Sequence, residues 1–178
     1  MNLPNKLTML RVFMIPFFLL FELAFPAELW AKWAAFLVFG AASLTDKLDG
    51  TIARRRNLVT NFGKFMDPLA DKLLVCSAMI VFAGDGRMPV LVVIVIVARE
   101  FIISGFRLIA AEQGKVIAAG PWGKAKTVFQ MVMVCFKILD INAAFIVIGD
   151  VLMWIALALT VISLVDYLWK NKEVLKDE

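Results

Sequence analysis

Apolar residues along this chain gather into six long runs, separated by short breaks that hold charge, glycine or proline. The runs cover about residues 7–25, 31–54, 60–83, 90–110, 124–142 and 146–169. At about 1.5 Å of rise per helical residue, each is roughly long enough to cross a hydrocarbon layer of about 30 Å. The pattern predicts an all-α, polytopic membrane protein with six transmembrane helices. Residues 1–6, MNLPNK, are read as a short interfacial N-terminal segment; they lack the basic start and small-residue cleavage site of a removed signal. Pro16 predicts a kink in the first helix. The third helix is expected to start at Thr60 or Asn61 and to run through Pro68, because that start keeps Gly63, Asp67 and Asp71 on one face. Residues 84–89 read as a tight turn and 111–124 as a glycine-rich basic loop. No repeat or soluble segment interrupts the pattern, so residues 1–178 are expected to form a single membrane domain.

Composition agrees. Hydrophobic residues make up 62% of the chain and charged residues 19%, and mean hydropathy is +0.85; an ordinary soluble domain is excluded. The net charge of +4 then fits a cationic inner membrane face rather than nucleic acid. Of the nineteen Lys and Arg residues, Lys32, Arg87 and Lys137 fall near one membrane face and the other sixteen lie toward the opposite one. By the positive-inside rule, both termini face the cytoplasm of a bacterial inner membrane. Cys76 and Cys135 each sit in an apolar run and read as small buried hydrophobes rather than a disulfide. There is no histidine, so any general base is a carboxylate or a lysine.

The candidate chemistry lies between the second and third runs, in DKLDGTIARRRNLVTNFGKFMDPLAD, Asp46 to Asp71. Asp46, Asp49, Gly50, Ala53 and Arg54 share one helical face, and Gly63, Asp67 and Asp71 follow at four-residue steps on the next helix. Two helices joined by a short basic turn can thus bring four carboxylates to a common point. One aspartate near a membrane helix centre costs roughly 2.5–3.5 kcal/mol, and four raise one another's pKa. A divalent cation offsets that cost. Oxygen-only ligation suits Mg²⁺ or Mn²⁺, and four carboxylates can hold two such ions about 3.5–4 Å apart, the arrangement that clamps a phosphoryl group. Asn5, Thr8 and Arg11 form a polar stripe on the first helix, read either as an interfacial anchor or as part of a headgroup site.

The segment resembles the signature of the CDP-alcohol phosphotransferases, D-x2-D-G-x2-A-R-x8-G-x3-D-x3-D, with all eight fixed positions matched over the 26 residues from Asp46 to Asp71. NLPNKLTMLRVFMIPFF, AREFIISGFR and GKAKT extend the resemblance over most of the chain. It implies transfer of the phosphatidyl group from CDP-diacylglycerol to glycerol 3-phosphate, with release of CMP. It further implies that Asp46, Asp49, Asp67 and Asp71 hold two metal ions per subunit and that Asp71 is the base. Gly50 and Arg54 would contact the nucleotide, with Thr60, Asn5 and Thr8 as further candidates. The family also implies a homodimer whose sites open sideways to the lipid bilayer.

An acceptor that carries its own phosphate needs additional cations, and Arg99, Arg107, Lys124 and Lys126 can supply them. The alternative is that Arg99 pairs internally with Glu100 and the others anchor helix ends. Two rival functions are weighed against this one. A related synthase would use serine or inositol phosphate as acceptor. An ion transporter would spread charges along a path, whereas here the acids cluster at one end and the other half is expected to be nearly free of charge.

Overall fold

The computed structural model describes residues 3–55, 61–114, 117, 118 and 120–172; within the helices, the side chains of 3–5, 46–55, 61–65, 67, 68 and 71 lie outside the description. Among the described residues there are six helices and no strand: α1 Leu3–Ala24, α2 Leu29–Arg55, α3 Asn61–Gly84, α4 Val90–Glu112, α5 Pro121–Leu139 and α6 Ala143–Lys170.

The expected runs map onto these helices, with shifts at the ends that have local causes. Leu3–Lys6, expected as a separate interfacial segment, belong to the first turn and a half of α1. Pro4 is tolerated there because the first backbone N–H groups of a helix have no intrahelical acceptor. α3 runs through position 68 rather than starting beside it. The basic loop expected at 111–124 is shorter at both ends, since α4 continues to Glu112 and α5 begins at Pro121. Gly120 is extended (φ −67°, ψ 168°) and Pro121 follows at the first helical position, where its fixed φ favours the start. α6 starts at Ala143 because the Asn142 side chain accepts a hydrogen bond from the Phe145 N–H at 3.0 Å. The tight turn after α3 holds Gly86 at φ 83°, a conformation that favours glycine.

The helices pack around an apolar interior in which Phe18, Phe39, Leu74, Phe82, Ile96 and Met133 are buried. Ala35 and Ala42 of α2 and Ala78 of α3 are fully buried as well. Such small residues let membrane helices approach closely without a hydrophobic drive between them. Outside, the polarity is inverted relative to a soluble bundle. Leu91 is 71% exposed, Phe101 65% and Trp169 75%, while Thr8, Arg11, Arg99, Lys126 and Lys137 are buried. Apolar surface facing outward on helix after helix suits a hydrocarbon surrounding. By length and composition, α1 over Lys6–Ala24 and α6 meet the requirement for crossing a membrane.

One end of the bundle carries an ion-pair network that corrects the expectation of a nearly charge-free half. Arg87, in the α3–α4 turn, pairs with Glu22 of α1 at 2.6 Å and with Asp85. Lys137 of α5 pairs with Asp150 of α6 at 2.6 Å. Lys32 of α2 donates to the carbonyl of Asp140 at 2.9 Å. All but Asp150, two turns into α6, stand near a helix end or in a turn, so the charges rim the bundle instead of crossing it. Burial alone would raise the Asp85 carboxyl, but hydrogen bonds from Arg87 and its charge hold it below the ordinary aspartate range. Because the end of α1, the start of α2, the α3–α4 turn, the end of α5 and the start of α6 meet here, consecutive helices run antiparallel. The signature segments therefore lie at the opposite end.

Candidate active site

Asp46, Asp49, Gly50, Ala53 and Arg54 fall in the last three turns of α2, and Gly63, Asp67 and Asp71 in the first three turns of α3. The two helices touch, joined by residues 56–60. The side chains of all these positions, and Thr60 and the Asn5 side chain, lie outside the described residues. Among the described residues, no group of three or more His, Cys, Asp or Glu is placed to hold a metal ion.

Thr8 and Arg11 are 0% and 1% exposed on the inward face of α1. Burial this complete does not suit an interfacial anchor, the first of the two readings of that stripe.

The four acceptor-pocket candidates divide into two groups. Arg99 and Lys126 meet at Glu100: Arg99 Nη1 donates to Glu100 Oε1 at 3.0 Å, and Lys126 Nζ donates to the same oxygen. Arg99 Nη2 also donates to Ser163 Oγ of α6 at 3.1 Å, while its Nε is buried and has no hydrogen-bond partner among the described residues. A Cβ on Gly123 would stand 3.5 Å from Arg99 Nη2, so the start of α5, where Lys124 lies, comes close to the same guanidinium. Arg107 stands two turns further along α4 and lies over the Tyr167 ring, 5.8 Å from its centroid. The internal Arg99–Glu100 pair weighed from the sequence is therefore present, and Lys126 shares it.

Sequence reasoning passed over Lys72. It follows Asp71 directly in α3, and its Nζ donates to Ser104 Oγ of α4; Ser104 Oγ in turn donates to the Glu100 carbonyl at 2.6 Å. Lys72, Cys76, Glu100, Lys126, Thr127 and Gln130 line a cavity of about 40 Å³, the size of one or two waters. Its sequence signal was a lysine beside the last signature aspartate, at the point where the apolar part of α3 begins. Cys76 and Cys135 form no disulfide with each other, and both are half-buried rather than fully buried as the apolar runs around them led one to expect.

Chemically, this end of the bundle brings cations from α3, α4 and α5 to one carboxylate-bearing residue, Glu100, a set of donors suited to an anion.

A family model described as CDP-alcohol phosphatidyltransferase matches residues 1–162. A protein of Bacillus subtilis (strain 168) is 43% identical, with 98% of this chain and 97% of that protein covered. One from Escherichia coli (strain K12) is 38% identical, with 99% and 98% covered. One from Rickettsia bellii (strain RML369-C) is 38% identical, with 91% of each covered. All three carry the name CDP-diacylglycerol–glycerol-3-phosphate 3-phosphatidyltransferase.

Proposed function

The chain belongs to the CDP-alcohol phosphatidyltransferase family, and from that membership we propose that it transfers the phosphatidyl group of CDP-diacylglycerol to glycerol 3-phosphate. The products are phosphatidylglycerophosphate and CMP. The observation that carries this reading is the likeness to relatives of that name over nearly the whole of both chains, together with the complete signature from Asp46 to Asp71.

The cation cluster supports glycerol 3-phosphate over an acceptor without phosphate. Arg99 and Lys126 are buried cations with one shared counter-ion, Glu100, and Lys72 is tied to the same residue through Ser104. Buried positive charge in excess of negative charge favours an anionic ligand. Serine carries a singly charged carboxylate and no phosphate, a weaker match to that excess; inositol phosphate carries a phosphate and remains the second acceptor to test.

Asp46, Asp49, Asp67 and Asp71 would hold two divalent ions, Mg²⁺ or Mn²⁺, which when bound neutralise the diphosphate and acidify a nearby hydroxyl. Asp71 takes the proton of the acceptor hydroxyl. The acceptor oxygen forms its bond to the β-phosphorus as the bond from that phosphorus to the CMP oxygen breaks. Gly50 leaves room for the nucleotide and Arg54 offers it a cation, with Thr60, Asn5 and Thr8 as further candidates for its contacts. Positioning and charge neutralisation supply most of the rate in such transfers.

The proposal places residues 1–178 in one membrane domain of six spans, in the bacterial inner membrane, with the signature end toward the cytoplasm. The subunits pair as a homodimer, and the donor's acyl chains stay in the bilayer. The test is CMP release by purified protein in detergent with CDP-diacylglycerol and Mg²⁺. Glycerol 3-phosphate, serine and inositol 1-phosphate are offered separately, with EDTA as control. Release with glycerol 3-phosphate alone, abolished by EDTA, is expected; release with serine alone would overturn the acceptor assignment.

A further inference from the structure

We propose that Glu100 is a positioning residue for the acceptor: its half-buried carboxylate holds the cations of α4 and α5, beside the Lys72–Ser104 link that reaches its main-chain carbonyl from α3, in the arrangement that receives a phosphate. The inference rests on the proposed function and goes beyond it, because no anion site has an evident need for an acid at its centre.

The geometry makes Glu100 a hub. One carboxylate oxygen, Oε1, accepts from Arg99 Nη1 of α4 and from Lys126 Nζ of α5. The main-chain carbonyl of the same residue accepts from Ser104 Oγ, which accepts from Lys72 Nζ of α3. Arg99 carries the linkage to Ser163 of α6. Arg99 and Lys126 thus take their positions from the carboxylate, while Lys72 is tied to the main chain of the same residue through Ser104. Without it, like charges at this spacing would repel and the long Lys and Arg stems would regain rotamer freedom. With it, Arg99 and Lys126 share one negative charge between them, and the groups that would attract an anion stand still. Lys72 is next to Asp71 in sequence, which ties the hub to the helix that bears the proposed base. Lys72, Glu100 and Lys126 also line one cavity. Lys126 and Arg99 are held at Glu100 here and must share themselves with an arriving phosphate.

The experiment is steady-state CMP release with each substrate varied in turn, for wild type, Glu100→Gln and Glu100→Asp. Loss of a charged hydrogen bond to two cations is expected to raise KM for glycerol 3-phosphate about tenfold in Glu100→Gln, with KM for CDP-diacylglycerol unchanged. Glu100→Asp, which keeps the charge, recovers part of the loss. A general folding defect lowers the active fraction and so kcat, and moves neither KM. If Glu100 acted as a mere charge, its removal would strengthen attraction of an anion; a KM for glycerol 3-phosphate that falls or stays put in Glu100→Gln overturns the proposal. Should Glu100→Gln not fold, Glu100→Asp carries the same comparison, read with a second measurement. In a Cys135→Ser background, alkylation of Cys76, which lines the cavity, is slowed by glycerol 3-phosphate. Glu100→Asp should require several-fold more glycerol 3-phosphate for the same protection, and equal requirement overturns the proposal. The parent function fails in a distinguishable way, through absence of glycerol 3-phosphate-dependent CMP release in wild type.

Discussion

Lys137 and Arg87 hold each other by their backbones: Lys137 Nζ donates to the carbonyl of Arg87 at 2.7 Å, and Arg87 Nη1 donates to the carbonyl of Lys137 at 2.8 Å. The exchange locks the end of α5 to the α3–α4 turn, fifty residues away in sequence. Arg87 spends its remaining donors on Glu22 and Asp85, and Lys137 on Asp150. A carbonyl at a helix end or in a turn has no partner of its own, which is why two long cations are recruited there.

Lys137→Met keeps much of the stem but leaves the Arg87 carbonyl and Asp150 without their donor. The expected cost is about 1–3 kcal/mol of stability, seen as a lower Tm in detergent, with CMP release per folded molecule unchanged. An unaltered Tm would show that the reciprocal bonds contribute nothing net.

Asp85 gives this end an acid limit. Its carboxyl titrates below the ordinary aspartate value of 3.8 because Arg87 outweighs the effect of burial. A depressed pKa contributes stability that is fully present above the unfolded value and is lost as pH falls through the folded one. The Tm of wild type should therefore drop more steeply below about pH 3.8 than that of Asp85→Asn. Parallel curves would count against the pairing.

Gly149 of α6 is buried against the Lys137 stem, and a Cβ there would meet Lys137 carbons at 3.5–3.6 Å, an ordinary contact. Gly149→Ala should then raise stability by about 0.5–1 kcal/mol through helix propensity, measured as an increase in Tm. A decrease would mean that the helix pair cannot yield even a methyl's width.

Asp71→Asn is expected to fold and to bind CDP-diacylglycerol while losing about 10²–10⁴-fold in kcat, the usual share of a general base. Turnover near wild type would remove Asp71 from that role.

Arg107 stands apart from the Glu100 hub, over Tyr167. Arg107→Ala should raise KM for glycerol 3-phosphate by about tenfold and leave KM for CDP-diacylglycerol in place. Equal effects on both substrates would return Arg107 to a packing role against the Tyr167 ring.

The helices were legible because lipid and interior both favour apolar residues, so each element is one unbroken run whose ends are set by charge or proline. Boundaries moved where a single local device decided them, as at Pro121 and Asn142. The signature was legible because its spacing is local, within two adjacent helices. The far-end network was not: Glu22, Asp85, Arg87, Lys137 and Asp150 are scattered over the chain, and each alone reads as an interface anchor. Arg99–Glu100 was visible as a charged pair in an apolar run, but nothing in the one-dimensional order says that Lys126 and Ser104 arrive at the same residue.

The charged rim sets a depth for the chemistry. Between Lys32 and Asp46 in α2, and between Lys72 and Asp85 in α3, lie thirteen and twelve residues without charge, about 20 and 18 Å of helix. A hydrocarbon layer is about 30 Å thick. On the proposed placement in a membrane, with the rim held at one surface by Lys32 and Asp85, the first signature position falls roughly 10 Å short of the other surface. The chemistry would then lie beneath the headgroups: a diphosphate anchored in the leaflet would have to dip to meet it, and a water-soluble acceptor would have to descend from the same side.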